Sequence, residues 1–393
     1  MIRRWLRRFT IAFLLLAVLV AIGYGALFIP DVYFRVAFFV IQRNALMRDR
    51  VDWAGVRLEA DRLRRGARST RDTYPAIQMV LQRLGDSHSH FVPPEGARAM
   101  RAGSNLTLGL TALWPERVVA TVSPGGPAEQ AGVRPGDVIE SVDGEAPPHV
   151  LGVVVLPRHR PVVLGLRRGP EPISVRLTPQ SLPFNHPAVV RSLQGGFGYI
   201  DIPGVVGGGG SFDADAVAAI RGIDTAPICG WVVDLRRNFG GNMWPMLHAV
   251  RPVLGEGNPF TYRFGKGPWS QEPVYSLRQP APAIAVLTSR LTVSSGEMLT
   301  IAFRGPAGTR SFGEATGGLS TMNMSVPLVD GAILVLTVSR AADRTGREYD
   351  GPIEPDEPVA IDWARIASED DPVIRAATDW LRTQGPCLAP RQV

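Results

Sequence analysis

The longest apolar stretch of the chain lies near its N-terminus. Phe9–Ile29 has 21 residues and no charged side chain, and four arginines lie among the eight residues before it. A helix of this length spans the ~30 Å hydrocarbon core of a bilayer, whereas the apolar core of a cleaved signal peptide is shorter. We therefore expect an uncleaved single-pass anchor in 1–30, with Gly23–Ala26 as a weak cleavage candidate and the remainder on the outer face of the cell membrane.

After the anchor, the spacing of apolar and polar positions changes twice. From Asp31 to Arg101, apolar residues recur with helical spacing. From Ser104 to Leu182, short β-branched runs alternate with turn residues, which is typical of a small β-rich domain. The runs are Val118–Val122, Val138–Val142, Val150–Val155, Val162–Leu166 and Ile173–Leu177.

From Phe197 onward, strand patterns alternate with helical patterns, which predicts a layered α/β core. The predicted strands are Gly198–Ile202, Gly230–Leu235 and Ala283–Thr288, and the predicted helices are Phe212–Arg221, Asn242–Leu254, Gly296–Phe303 and a last one in Asp371–Gln384. No internal repeat or long low-complexity stretch interrupts this pattern.

Composition narrows the function classes. Apolar residues make up 45% of the chain and charged residues 20%, as in a globular protein. The formal charge is +6, of which the N-terminal arginines supply four, so no nucleic-acid partner is expected.

Cys229 lies in an apolar run and is expected to be a buried strand thiol. Together with Cys387, it predicts neither a disulfide framework nor a metal site. The histidines lack metal-ligand spacing, and we expect no metal or cofactor.

Two short fragments could carry chemistry. Thr292–Glu297 follows an apolar strand and precedes an apolar helix. A serine at such a turn is exposed, and N–H groups at the helix start can stabilise an oxyanion, although a plain helix N-cap gives the same pattern. Val232–Asn242 runs from an apolar strand into Gly240-Gly241 and a helix. Paired glycines let the backbone approach a ligand closely, although alone they predict only a turn.

A third fragment is longer and more specific. Ser123–Ile139, closed by Val142-Asp143-Gly144, resembles the bacterial type of PDZ domain. The resemblance implies a groove in which a peptide adds as a strand while its C-terminal carboxylate meets backbone amides. By family position, the substrate-binding loop would be Thr107-Leu108-Gly109-Leu110, which makes Leu108, Gly109 and Leu110 candidate binding residues. A PDZ domain used only for packing is the alternative.

Taken together and in this order, the fragments resemble the S41 peptidase family, which includes the C-terminal processing peptidases, the tricorn core and nisin-resistance-type proteins. The resemblance implies a crotonase-like core that hydrolyses peptide bonds. In its serine motif the nucleophile lies three residues before the glutamate, here Ser294 before Glu297, with Ser295 as the near alternative. The N–H of Ser295, beside that of Gly240 or Gly241, would then line the oxyanion hole.

A departure from the commonest branch bears on the general base. Processing peptidases of the family read Gly-Glu-x-Thr-x-Gly-Lys, but here Leu319 stands where the lysine would be, and Lys266 lies outside the motif in a Gly-rich loop. The fragment Asp86–Ser89 resembles the region that supplies a histidine in tricorn-like and nisin-resistance-type members. His88, with an ordinary pKa of ~6.5, suits general-base work near neutrality, and His90 is the reserve. Glu297 and Asp86 are both candidates to orient the histidine.

The expected fold class is α/β, with a crotonase-like layered peptidase core, an inserted β-rich PDZ domain, an N-terminal helical segment and one transmembrane helix. The expected division is an anchor in 1–30, a helical region carrying the histidine motif in 31–103, a PDZ-like domain in 104–182, an S41-type core in 183–363 and a C-terminal helix and tail in 364–393.

The expected function is hydrolysis of peptide bonds in exported proteins or peptides by a membrane-anchored serine endopeptidase, through a Ser294–His88 pair and an acyl-enzyme. Its partners would be peptide or protein substrates, read at the C-terminus by the PDZ domain, and the membrane. The alternative is an inactive S41-like protein that binds peptides or lipids, because loss of the lysine is what decay of catalysis would look like.

Overall fold

The computed structural model describes residues 25–150, 152–154, 156–157, 159–225, 228–262, 275–279 and 282–388. Among these, one compact unit consists of the residues up to Arg98 with Thr321–Ser339, and a second consists of Ala99–Ser320 with the residues from Arg340 onward. The five-part domain division expected from the sequence stays a prediction.

Most of the predicted anchor, as far as Tyr24, lies outside the described residues, and so does Lys266. Among the helices that are described, none is long and apolar enough to cross a membrane.

Ten α-helices and twenty strands are assigned in these ranges. The helices are α1 (Pro30–Asn44), α2 (Trp53–Leu63), α3 (Tyr74–Gln82), α4 (Pro94–Ala102), α5 (Pro127–Gln130), α6 (Phe212–Ile223), α7 (Met243–Leu254), α8 (Ser295–Ala302), α9 (Pro372–Arg382) and α10 (Gly385–Leu388). The strands are β1 (His90–Val92), β2 (Ser104–Thr107), β3 (Leu110–Ala112), β4 (Val119–Val122), β5 (Val138–Val142), β6 (His149–Val150), β7 (Val153–Val154), β8 (Val162–Arg168), β9 (Glu171–Leu177), β10 (Gln180–Pro183), β11 (Val189–Leu193), β12 (Phe197–Asp201), β13 (Gly230–Asp234), β14 (Thr261–Tyr262), β15 (Ala283–Thr288), β16 (Thr309–Gly313), β17 (Thr321–Pro327), β18 (Ile333–Ala342), β19 (Glu348–Tyr349) and β20 (Glu357–Pro358).

The first unit packs helices α1, α2 and α3 together with strands β1, β17 and part of β18. Helix α1 forms because its apolar residues fall on one stripe, and that stripe is buried: Tyr33, Phe34, Ala37, Phe38 and Ile41. Strand β1 pairs antiparallel with β18, and β17 pairs with β18 on the same sheet. The loop between α3 and β1 carries the candidate histidine.

Most of the β-branched runs predicted in the second unit are confirmed as strands. β5, β8 and β9 form one antiparallel sheet, β3 pairs with β4, and β10 pairs with β2. The run Val150–Val155 contains parts of two strands, β6 and β7. Gly152 has a φ of +76°, which favours glycine, and the chain turns there into a hairpin of β6 and β7.

The α/β core contains a six-stranded sheet in the order β11-β12-β13-β15-β16-β20, parallel from β12 onward. Every residue of β13 and β15 is buried, as expected for central strands of a parallel sheet covered on both faces. Because β13 and β15 are parallel neighbours, the turns that leave their carboxyl ends lie side by side. These are the Gly-Gly turn, which contains Gly240 and Gly241, and the serine turn, which contains Ser294.

The cysteines correct the sequence prediction. Cys229 and Cys387 form a disulfide with a Cα–Cα distance of 5.0 Å, and Cys229 precedes β13 instead of lying within a strand. Apolar neighbours indicated a free thiol, but the sequence could not show that a residue 158 positions away lies beside it. The bond joins the start of a central strand to α10.

Removing this bond should destabilise the second unit without changing its fold. We expect the Cys229→Ser/Cys387→Ser double variant to unfold at lower denaturant, with a loss of about 2–5 kcal/mol, because the disulfide restricts the unfolded chain. Reduced wild type, followed by circular dichroism in urea, should unfold at the same midpoint as the double variant. Equal midpoints for oxidised and reduced wild type would contradict the prediction.

Candidate active site

The serine turn holds a non-glycine residue in a strained backbone conformation. Ser294 has φ +55° and ψ −116° and stands immediately before α8, which begins at Ser295. Such a conformation costs of order 1–3 kcal/mol and is concentrated at functional sites. A serine on a sharp strand-to-helix turn is also how α/β-hydrolases present a nucleophile, although the G-x-S-x-G motif is absent here. The strain distinguishes Ser294 from Ser295, which has helical geometry.

A buried carboxylate holds the serine turn. Glu297 is fully buried and accepts hydrogen bonds from the N–H of Ser294 (3.0 Å), the hydroxyl of Thr316 (2.5 Å) and the N–H of Gly318 (2.9 Å). Burial raises the pKa of Glu297, and these hydrogen bonds oppose the rise by stabilising the charged form. The glutamate therefore fixes Ser294 and the Gly-Glu-x-Thr segment to each other.

The Gly-Gly turn packs directly against the serine turn. A Cβ added to Gly240 would lie 2.8 Å from Cβ of Ser294, and one added to Gly296 would lie 2.7 Å from the carbonyl oxygen of Asn238. Any side chain at either glycine would push the two turns apart. The fully buried Asn238 completes the contact, because its carbonyl accepts from the N–H of Val293 (3.0 Å).

The N–H groups around Ser294 differ in what they already bind. The N–H of Gly240 donates to Oδ1 of Asn238 at 2.9 Å. Within the described part of the chain, the N–H groups of Ser295 and Gly241 have no protein acceptor. The hydroxyl of Ser295 donates to the carbonyl of Gly241 (2.6 Å), which holds these two residues together. Of the three backbone donors expected from the sequence, Ser295 and Gly241 are thus the two that remain open.

A buried arginine ties the two turns to the C-terminal helix, and sequence reasoning missed it. Arg236 has no solvent exposure and pairs with Asp234 (2.6 Å) and with Asp371 (2.7 Å), the N-cap of α9. The backbone carbonyl of Arg236 accepts a hydrogen bond from the hydroxyl of Ser289, in the loop that leads into the serine turn (2.6 Å). The signal was the Asp-x-Arg at the end of an apolar strand, because a charged pair there has to find buried partners.

In the first unit, the candidate histidine lies in a loop held by Asp86. The Asp86 carboxylate accepts from the N–H groups of His88 (3.1 Å) and Ser89 (2.6 Å), so it fixes the backbone of the loop. The ring Nδ1 of His88 lies 3.0 Å from the hydroxyl of Thr321. The sequence suggested Asp86 or Glu297 as the group that orients the ring, but it gave no reason to expect Thr321, 233 residues away.

Two features distinguish His88 from the reserve histidine. His88 is buried, with 7% exposure, whereas His90 is exposed and places its Nδ1 3.0 Å from the carbonyl of His88. The pKa of His88 is lowered to about 4, mainly by burial and also by the charge of His90, while Asp86 opposes the shift. His88 is therefore neutral over the physiological pH range, as a general base must be.

The predicted peptide-binding loop is only partly available. Leu108 is buried and its carbonyl accepts from the N–H of Ala128 (3.0 Å), while the N–H of Gly109 donates to the hydroxyl of Thr107 (3.1 Å). Leu110 lines a cleft of about 580 Å³ in the second unit, between the β3–β4 hairpin and the end of the core sheet. This volume is within the range of ligand sites.

Comparison with known proteins places these observations in a family context. A model of peptidase family S41 matches residues 196–359, and a PDZ domain model matches residues 118–168. The chain is similar to carboxyl-terminal-processing peptidase 2, chloroplastic, of Arabidopsis thaliana, with 27% identity over 71% of this chain and 58% of that protein. It is also similar to the nisin-resistance protein of Lactococcus lactis, with 31% identity over 35% of this chain and 50% of that protein.

Solved structures show the same fold. The photosystem II D1 C-terminal processing protease has a TM-score of 0.60 and 22% identity over 91% of this chain and 98% of that one. A lipoprotein from Streptococcus agalactiae has a TM-score of 0.59 and 18% identity over 90% of this chain and 96% of that one. The resemblance to S41 peptidases with a PDZ domain is confirmed. The chain spans 58% and 50% of the two curated relatives named above.

The role of Glu297 predicts a specific sensitivity. Glu297→Gln replaces one accepting oxygen by an NH2 group that cannot accept, so the N–H of Ser294 or that of Gly318 is left without an acceptor. We expect unfolding at lower denaturant, with a loss of about 1–3 kcal/mol for the unsatisfied buried group. Glu348→Gln, at an exposed position, is the matched control and should leave the midpoint unchanged. Equal midpoints for the two variants would contradict this role.

Proposed function

Because the chain carries a domain of peptidase family S41 together with a PDZ domain, we propose that it is a serine peptidase in which Ser294 is the nucleophile and His88 the general base. The observation that carries this proposal is the strained backbone of Ser294 at the start of α8, beside two backbone N–H groups that have no protein acceptor among the described residues. Ser295 is disfavoured because its hydroxyl is donated to the carbonyl of Gly241.

In the first step, Oγ of Ser294 would attack the carbonyl carbon of the scissile peptide bond while its proton passes to His88. Nδ1 of His88 lies against Thr321, so Nε2 is the nitrogen that would receive the proton. Breakdown of the tetrahedral intermediate would release the amine, protonated by His88, and leave an acyl-enzyme. Water activated by the same histidine would then hydrolyse the ester.

The oxyanion would be held by the N–H groups of Ser295 and Gly241. The two donors are fixed by the contact between the serine turn and the Gly-Gly turn, so they need no reorganisation during the reaction. The N–H of Gly240 is a weaker candidate because Asn238 already accepts from it. We assign Asn238 the task of shaping this turn.

We further propose that the enzyme is anchored by Phe9–Ile29 and acts outside the cytoplasm on exported proteins or peptides. The apolar length of that segment and the arginines before it support an anchor with an outward-facing domain. The Cys229–Cys387 disulfide supports the same side, because such bonds persist in oxidising compartments.

The catalytic assignment predicts an asymmetry between adjacent serines. With a quenched fluorescent peptide library, Ser294→Ala and His88→Ala should lose cleavage by at least ~10³-fold, because each removes a reacting group. Ser295→Ala keeps its N–H and loses only the hydroxyl bond to Gly241, so it should retain most of the rate. Cleavage surviving in Ser294→Ala would overturn the assignment. Peptide binding without any cleavage by folded wild type would favour the inactive binding protein.

The pH profile tests which histidine is the base. A general base works only when neutral, so kcat/KM for a C-terminally amidated peptide should stay high down to about pH 4 and fall below it, as His88 becomes protonated. The charge of His90 lowers the pKa of His88, so His90→Gln should shift this acid limb to higher pH while preserving the plateau. Loss of the plateau in His90→Gln would identify His90 as the base instead.

A further inference from the structure

The edge of β3, where a PDZ ligand would add as a strand, is partly covered by the chain itself. Leu113 forms an antiparallel bridge with Val153 of β7, and the N–H of Trp114 donates to the carbonyl of Gly152 (2.8 Å). The ring of His149 stacks on Trp114 with 3.8 Å between centroids. A peptide adding along this edge would meet the β6–β7 hairpin after a short distance, so this edge offers little length for recognition.

The cleft on the other side of the β3–β4 hairpin leads toward the Gly-Gly turn. Its walls include Leu110 and Val122 of the hairpin and Pro203 and Gly204 of the core. The segment after Pro203 touches the turn itself, since the N–H of Val205 donates to the carbonyl of Gly240 (3.1 Å). The wall formed by Pro203 and Gly204 is therefore joined to the turn that carries one of the candidate oxyanion donors.

Among the described residues that line this cleft, Arg237 is the one arginine or lysine, and it follows the strand that leads to the Gly-Gly turn; His186 lines the cleft as well. Arg237 is half-buried, with 28% of its side chain exposed, and pairs with Asp201, of which 10% is exposed. Phe239, 45% exposed, lines the same wall. The guanidinium has five N–H donors and gives one to Asp201, so donors remain for a ligand in the cleft.

We propose that Arg237 binds a carboxylate of the peptide substrate in this cleft, with Asp201 as the counter-ion that the substrate replaces. The proposal rests on the peptidase function proposed above and names the substrate class: peptides that present a carboxylate near the scissile bond, supplied by their C-terminus or by an acidic side chain. An arginine suits this task because its planar fork matches a carboxylate.

The electrostatics around the pair agree with a replaceable counter-ion. The pKa of Asp201 is raised to about 6, mainly by burial. The charge of Arg237 opposes this rise, the nearby Asp234 adds to it, and Arg236 opposes it. A buried carboxylate with such a pKa takes up a proton at little cost. An incoming carboxylate could then pair with Arg237 while Asp201 becomes neutral, and no unpaired charge would be left in the cleft.

Two substitutions separate this role from a purely structural ion pair, because they should act in opposite directions. Binding is measured in the Ser294→Ala background by fluorescence anisotropy, so the result does not depend on cleavage. The probe is a short fluorescent peptide of alanine and leucine with a free C-terminal carboxylate, compared with the same peptide as its amide. With Arg237 and Asp201 unchanged, the protein should bind the peptide with the free carboxylate at least about tenfold tighter than the amide.

Arg237→Gln should abolish this preference, whereas Asp201→Asn should strengthen it, because the arginine is then released to the ligand. The Arg237→Gln/Asp201→Asn double variant keeps a neutral, hydrogen-bonding pair of similar size, so it controls for folding and should also lack the preference. Arg310→Gln breaks a surface ion pair with Glu357 and should leave the preference unchanged. An amidated peptide with one glutamate shows whether a side-chain carboxylate serves as well, and tight binding of this peptide also supports the proposal.

The proposal is overturned if neither the free acid nor the amidated glutamate peptide binds tighter than the amide that lacks glutamate, including the case in which none of the three peptides binds. It is also overturned if the preference survives in Arg237→Gln. Equal weakening of acid binding by Arg237→Gln and Asp201→Asn would show that the pair only supports the fold.

Discussion

Glu297 accepts hydrogen bonds from two separate segments while having no solvent exposure, and the candidate site depends on that arrangement. Its carboxylate binds the N–H of Ser294 on one side and the Thr316–Gly318 segment on the other. A carboxylate can satisfy three donors at once, which a neutral amide cannot. The gain from these bonds offsets the backbone strain at Ser294, so the strained conformation persists. With Ser294 fixed, the Gly-Gly turn can pack against it and present the open N–H of Gly241.

The PDZ domain is joined to the loop that leads into the serine turn. Arg290, four residues before Ser294, donates to the carbonyl of Trp114 (3.0 Å) and pairs with Glu116 (2.8 Å). Leu291 packs in an apolar cluster with Leu113, Ala120 and Trp363. These contacts of Arg290 and Leu291 join the segment between β3 and β4 to the loop that leads into the serine turn.

Local patterns in the sequence predicted much of the fold, because they report on burial and turns. β5 and β15 were predicted with the bounds that the structure has, and the helix after Ser294 within one residue. What failed depends on partners far away in sequence. The Cys229–Cys387 bond, the Thr321 contact of His88 and the buried pair of Arg236 with Asp371 join residues that are at least 135 positions apart. The hydrogen bond from the N–H of Gly240 to Asn238 joins near neighbours in the sequence. It depends on the side-chain rotamer of Asn238, which the sequence pattern does not reveal.

We propose Ser294, and not Ser295, as the reactive residue. The most direct test is to treat the folded protein with a fluorophosphonate serine probe and to map the labelled residue by mass spectrometry of its peptides. We expect a single adduct on Ser294, which is lost in His88→Ala because the hydroxyl is then no longer activated. An adduct on Ser295, or no labelling of folded wild type even with peptide present, would contradict it.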